Sequence, residues 1–246
     1  MIKHLSKVPV LIALLMSSFV NAQDSLVTSD FEAWAGITLQ KSFFDKKLDL
    51  SLTQEFRFDD NSSHLDKFFT QLAGKYEIID GLSIGLGYRY IRNRRNSEDR
   101  NEQRFHADVS YKHKVDRLTL NYRFRFQNRN ELGRNKSEGS FASNKYRLRI
   151  KAKYNIKNWK FDPYISIEGF FGQERNSLDY VESVVDFENI SGFEKLRYTI
   201  GTNYKVAKFL DIGIYYRIEQ GFKSYPNNYN LSTLFYIGGL NLNFNL

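Results

Sequence analysis

The chain has 246 residues, 41% hydrophobic and 16% aromatic, with 36 Lys+Arg against 28 Asp+Glu, a formal net charge of +8 and no cysteine. The missing cysteines exclude disulfide scaffolds, thiolate zinc centres, thiol catalysis and anchoring through an acylated cysteine. A mean hydropathy of −0.51, with no run of ~18 apolar residues past the N-terminal segment, excludes a helical membrane protein, and aromatics this abundant exclude a disordered chain.

The first element is an address. Lys3 and Lys7 precede the apolar run Val8 to Val20, and Val20-Asn21-Ala22 is a small-residue cleavage site before Gln23. That pattern predicts a secretory signal peptide over 1–22, too short to span a membrane, and a mature domain over 23–246. Removing Lys3 and Lys7 leaves the mature chain at +6. An excess of positive charge first suggests nucleic acid or an acidic surface, so where those charges point becomes the question.

The mature chain alternates. From Phe31 to Lys41, Ala33, Ala35, Ile37 and Leu39 share a face; from Lys47 to Phe58, Leu48, Leu50, Leu52, Phe56 and Phe58 do. Apolar residues at every second position predict strands with one apolar and one polar face. Similar segments follow at 67–78, 82–93, 104–113, 118–129, 145–156, 159–171, 195–204, 209–220 and 233–246, which makes eleven. They run about 10–13 residues, longer than the ~5–6 usual in a sandwich and near the ~9–11 a tilted membrane strand needs. Connections alternate short (44–46, 79–81, 114–116, 155–158, 205–208) and long (59–66, 94–103, 130–144, 172–194, 221–230), the hairpin habit of outer-membrane barrels. Aromatics such as Tyr88, Tyr90, Phe124, Phe126, Tyr146, Tyr154 and Tyr204 sit near segment ends on the apolar face, as interfacial girdles require.

These features predict an all-β, up-and-down antiparallel transmembrane β-barrel in the outer membrane; a soluble periplasmic β protein with the apolar faces inside is the competing reading. A barrel with both ends in the periplasm needs an even number of strands. Eleven segments therefore imply a further strand, within Gln23 to Asp30 or at Val181 to Phe187, or an N-terminal tail threading the barrel. The expectation is about twelve strands, within a range of ten to fourteen. The C-terminal run Gly239 to Leu246 alternates to its last residue and resembles the terminal-strand signal read by barrel-assembly machinery.

Glu32-x-Trp34 on the first strand is followed in order by Gln54-Glu55-Phe56-Arg57-Phe58, Gly87-Tyr88-Arg89-Tyr90, Tyr122-Arg123-Phe124-Arg125-Phe126-Gln127, Tyr146-Arg147-Leu148-Arg149 and Pro163-Tyr164-x-Ser166-x-Glu168. This series resembles the exported bacterial barrel family filed as domain of unknown function 2490. The resemblance covers nearly the whole mature chain. It implies an outer-membrane location and brings no activity with it.

By strand parity the polar face carries Glu55, Arg57, Arg89, Arg104, Asp108, Arg123, Arg125, Arg147, Arg149, Lys151, Glu168, Arg197 and Arg217. In a membrane barrel this face lines the lumen, because charge on the lipid side costs ~2–4 kcal/mol at mid-membrane. Arg123, Arg125, Arg147, Arg149, Lys151 and Lys153 fall on neighbouring strands and form one basic wall, with Glu55, Asp108, Asp162 and Glu168 expected across the bore. Two readings follow: an anion-attracting constriction in a narrow pore, or an ion-paired interior that fills a closed, structural barrel.

Catalysis has little support. His106-x-Asp108-x-Ser110 shares a face, but same-face neighbours lie ~7 Å apart along a strand, beyond reach of a ready triad. Asp59-Asp60 with His64 and Asp66 in the first long loop offers a carboxylate–histidine pair or a cation site, against the simpler reading of a solvated acidic loop. An outer-membrane hydrolase is thus the weakest alternative. No cofactor, metal or catalytic residue is assigned. The expected partners are outer-membrane lipids, lipopolysaccharide (met by the arginines between 92 and 104) and the assembly machinery, with no nucleic acid and a monomeric state.

Overall fold

In the computed structural model the described residues are 27–94, 99–133, 142–177, 187–224 and 230–246, and their regular structure is all β-strand. The strands are β1 (Val27–Phe43), β2 (Leu48–Asp59), β3 (His64–Ile79), β4 (Leu82–Asn93), β5 (Arg100–Val115), β6 (Leu118–Leu132), β7 (Ala142–Tyr154), β8 (Phe161–Ser177), β9 (Phe187–Ala207), β10 (Leu210–Ser224) and β11 (Asn230–Asn245). Each pairs antiparallel with the next in the chain, and β1 closes on β11 to complete a barrel. The up-and-down expectation holds.

Among the described residues the count is eleven, inside the expected range but not the expected twelve, and the parity argument is what fails. β1 and β11 run parallel, in register from Val27↔Ser232 to Gln40↔Asn245. A parallel ladder occupies the backbone N–H and C=O groups as an antiparallel one does, so hydrogen bonding never required an even number. Of the proposed extra strands, residues 27–30 are the start of β1 itself, while 23–26 lie outside the described residues. The Val181 to Phe187 candidate is also outside them, except for Phe187, which opens β9. The signal peptide over 1–22 lies outside the described residues too.

The strands are longer than the alternation suggests, and the long connections correspondingly shorter. The 59–66 loop shrinks to a four-residue turn in which Asp60, Asn61 and Ser62 take positive φ. Asp30 of β1 accepts from the backbone N–H of Asp60 at 3.0 Å and of Asn61 at 2.9 Å, fixing that turn. At this end of the barrel the outward positions turn polar, so the two-residue hydrophobic period fades while the ladder continues. Asn128 donates to Asn144 at 2.7 Å, and Arg92 donates to Asp99 at 2.8 Å, on that outer surface. At the opposite end the hairpins are tight. Asp80-Gly81 is a two-residue connection with Gly81 at φ 79°, a left-handed conformation that glycine adopts without steric cost, beside a register shift between Glu77 and Ile79.

The outer wall is apolar and exposed: Leu86 is 70% and Leu72 60% accessible. Its aromatics form two rings. Nearer the longer connections, Phe56–Phe68, Tyr88–Phe105, Phe126–Tyr146, Phe171–Phe193 and Phe193–Phe222 pair at centroid distances of 4.9 to 6.0 Å. At the tight-turn end, Trp159–Phe161 and Phe161–Tyr204 pair at 5.3 and 4.9 Å, beside exposed Tyr76, Tyr111 and Tyr154. Between the rings lie aliphatic positions such as Ile84, Leu148, Ile165, Ile200 and Ile214. Phe161 and Phe171 are about 34 Å apart along their strand at ~3.4 Å per residue, which a typical barrel tilt reduces to about 25 Å of height.

Candidate functional site

Inward positions enclose two cavities stacked along the barrel. The larger, about 400 Å³, lies toward the longer connections and is lined by Glu55, Arg57, Arg89, Arg104, Arg123, Arg125, Arg147, Arg149, Lys151, Glu168, Arg197 and Arg217 among others. Twelve of the thirteen residues singled out by parity thus meet around one space. Asp108 is the exception and lines the smaller cavity, of about 280 Å³, toward the tight turns. Arg125 borders both and forks onto Asp108 with two bonds of 2.6 Å. Gln71 of the smaller cavity accepts two bonds from Arg89 of the larger, at 3.0 and 2.7 Å. These two pairs form the layer between the cavities.

The carboxylates do not stand across the bore, as the sequence suggested; they pair along their own strand or with strands one or two away. Glu55 holds Arg57 on its own strand at 2.7 Å, and Asp162 holds Lys153 of the adjacent strand at 2.7 Å. Glu168 is the hub: 3% exposed, it accepts from Arg123 at 2.6 Å, from Arg147 at 2.9 and 3.2 Å, and from Arg197 at 3.3 Å. Arg197 continues to Glu219, which also binds Lys195 at 2.8 Å. A charge chain thus crosses from β6 to β10. Short charge-assisted bonds of this kind set geometry firmly because removing any one member leaves a buried charge.

The chain does not balance the site. Fourteen Lys and Arg line the larger cavity against three Glu, so the positive composition is concentrated here. Some cations lie on aromatic faces, either beside a carboxylate partner, as Arg57 and Arg147 do, or without one, a contact parity alone does not reveal. Trp34 lies between Arg57, at 3.6 Å from its ring, and Arg217, at 4.8 Å. Arg89 lies 3.5 Å over Phe69, Arg147 4.5 Å over Phe170, and Lys151 3.5 Å over Tyr164. Phe69 is 1% and Ile237 0% exposed. The sequence signal was present but unread: each of these apolar residues has the parity of the charged face. Some also oppose glycine in register, as Tyr215 does Gly239. A Cβ on Gly239 would sit 2.0 Å from the Tyr215 ring, so only glycine leaves room for it.

The weaker candidates resolve as structure. His106 lies over Gly87, where a Cβ would come within 2.2 Å of the imidazole, and among the described residues no hydrogen bond joins His106 to Asp108 or Ser110. Gly87 therefore gives the His106 ring its room in a crowded wall. Asp59 and His64 pair at 2.9 Å across the β2–β3 hairpin, exposed. No group of three or more metal-ligating side chains occurs among the described residues. Of the arginines between 92 and 104, Arg104 points inward and Arg100 approaches Glu131 at 3.6 Å, so neither belongs to an outer loop surface.

A family described as protein of unknown function (DUF2490) matches residues 31–230, spanning most of the barrel wall. The chain belongs to that family. No curated protein matches it. The matched span runs from the first strand through the start of the last, and so takes in every residue of the charged hub.

Proposed function

We propose that this chain is an exported outer-membrane β-barrel that acts as a narrow pore preferring small anions. The observation that carries the reading is the pairing of an apolar outer wall, ringed twice by aromatics, with a strongly basic inner cavity. An apolar surface of that extent has no reason to face water, and rings separated by about 25 Å match a bilayer's hydrocarbon band. The Gln71–Arg89 and Asp108–Arg125 layer is the constriction. In this reading the polar outer rim with Arg92 faces lipopolysaccharide, and β11 is the strand presented to assembly machinery. The excess charge is turned inward, so composition no longer argues for nucleic acid. Planar-bilayer recording of folded protein in a KCl gradient checks the pore: a reversal potential toward chloride is expected, and no current at any voltage would refute it.

The membrane orientation has its own test. Ile165→Arg, in the aliphatic band, is expected to destabilise the barrel in lipid vesicles by about 2–4 kcal/mol, while Asn144→Arg, on the polar rim, costs about 0–1 kcal/mol. Equal effects would mean the wall does not face lipid. A second reading, a closed structural barrel, is favoured by the Glu168 hub and by side chains packed as tightly as Phe69 and Ile237. It predicts the Ile165→Arg result without any current.

A further inference from the structure

Three arginines stand directly opposite one another on adjacent strands: Arg89 of β4 faces Arg104 of β5, and Arg104 faces Arg129 of β6. Directly opposed like charges are destabilising in a sheet, and here they project into the larger cavity, among other cations, where that repulsion is stronger than at an outer surface. The chain compensates only the flanks. Arg129 pairs with Glu102. Arg89 is held by the neutral Gln71 amide oxygen and lies flat over Phe69. Arg104, in the centre, makes no hydrogen bond, ion pair or ring contact among the described residues, and its Nε is buried without a partner. Arg104 is thus a buried cation between two others with no acid of its own among the described residues. Buried charges left unpaired are expensive, so an anion that reaches Arg104 stabilises the arrangement.

We propose that the Arg89–Arg104–Arg129 row is a binding site for a small solute bearing a phosphate or similar oxyanion, centred on Arg104. Guanidinium forks match the spacing of its oxygens, and the Phe69 ring and the Gln71 amide hold Arg89 in place beside Arg104. This names the ligand class for the anion-preferring interior proposed above and rests on that reading for its charge preference. Binding to the folded barrel needs no conduction, so the two are tested separately.

The full-length folded protein in zwitterionic detergent is titrated with inorganic phosphate, with KCl adjusted to hold ionic strength, by calorimetry and by the thermal midpoint of unfolding. Native protein is expected to bind phosphate saturably, at one site per barrel, and to gain midpoint as it does. Arg104→Gln is expected to raise the midpoint in phosphate-free buffer, because a repelled charge has gone, and to weaken phosphate binding at least about tenfold. Arg104→Lys keeps the charge but loses the fork, and is expected to fall between them. Absence of phosphate binding by native protein overturns the site even if no variant folds, as does Arg104→Gln binding phosphate as tightly as native. A barrel that carries chloride but ignores phosphate keeps the pore and loses the site. One that binds phosphate and carries no current keeps the site and loses the pore.

Discussion

Replacing Glu168 by Gln is expected to lower the stability of the folded barrel by about 3–5 kcal/mol, among the largest effects of any single substitution in the wall. The substitution keeps the shape and removes the charge that Arg123, Arg147 and Arg197 share. Of the three, Arg197 retains a second carboxylate, Glu219. Arg123 and Arg147 are left as buried cations in a cavity already rich in them, with Arg147 keeping its bond to Gln127 at 3.1 Å. The check is the urea midpoint of unfolding, read from the folded and unfolded bands on gels. Adding Arg147→Met to the Glu168→Gln variant should recover part of the loss, since an apolar side chain removes the orphaned charge. An unchanged midpoint in Glu168→Gln would mean the hub contributes nothing to stability.

Trp34→Ala should cost about 3–5 kcal/mol for the lost volume of a nearly buried ring. A further contribution of about 0.5–2 kcal/mol per contact is expected from the faces withdrawn from Arg57 and Arg217. These terms share neighbours and will not add fully. Trp34→Phe keeps a ring face between the two guanidiniums, loses only the indole N–H bond to Glu32 of 2.6 Å, and should lose less than half as much. Circular dichroism against urea is the appropriate readout, because the other tryptophan, Trp159, reports on the tight-turn rim. If Phe and Ala are equally damaging, the ring is filling space and is not offsetting charge.

The opposite signs expected at Glu168 and Arg104 express one fact: the interior has too few carboxylates for its guanidiniums. Removing a scarce acid is costly, and removing the most isolated cation is favourable until an anion is supplied. The rings of Trp34, Phe69, Phe170 and Tyr164 moderate that imbalance without neutralising it.

Much of this was legible in the chain, because strand periodicity is local. The alternation from Leu48 to Phe58 assigns each residue of β2 to a face with no knowledge of its neighbours, and the break in alternation at 79–81 marks a short connection. The same logic placed Arg123, Arg125, Arg147 and Arg149 inside. It failed where the wall becomes polar on both sides. Strand β9 begins at Phe187, but Glu188-Asn189-Ile190-Ser191-Gly192 carries no two-residue period.

Sequence by itself determined the β class, the alternating strand faces and the order of the strands, since each depends on a residue and its near neighbours along the chain. Only the tertiary structure decided how many strands close the wall, that β1 meets β11 in parallel, and which partners the charges find. Glu168 reaches Arg123 on a strand beyond its neighbour, and Arg104 ends between two other arginines. Register and closure are properties of the whole ring of hydrogen bonds, and no single strand carries them.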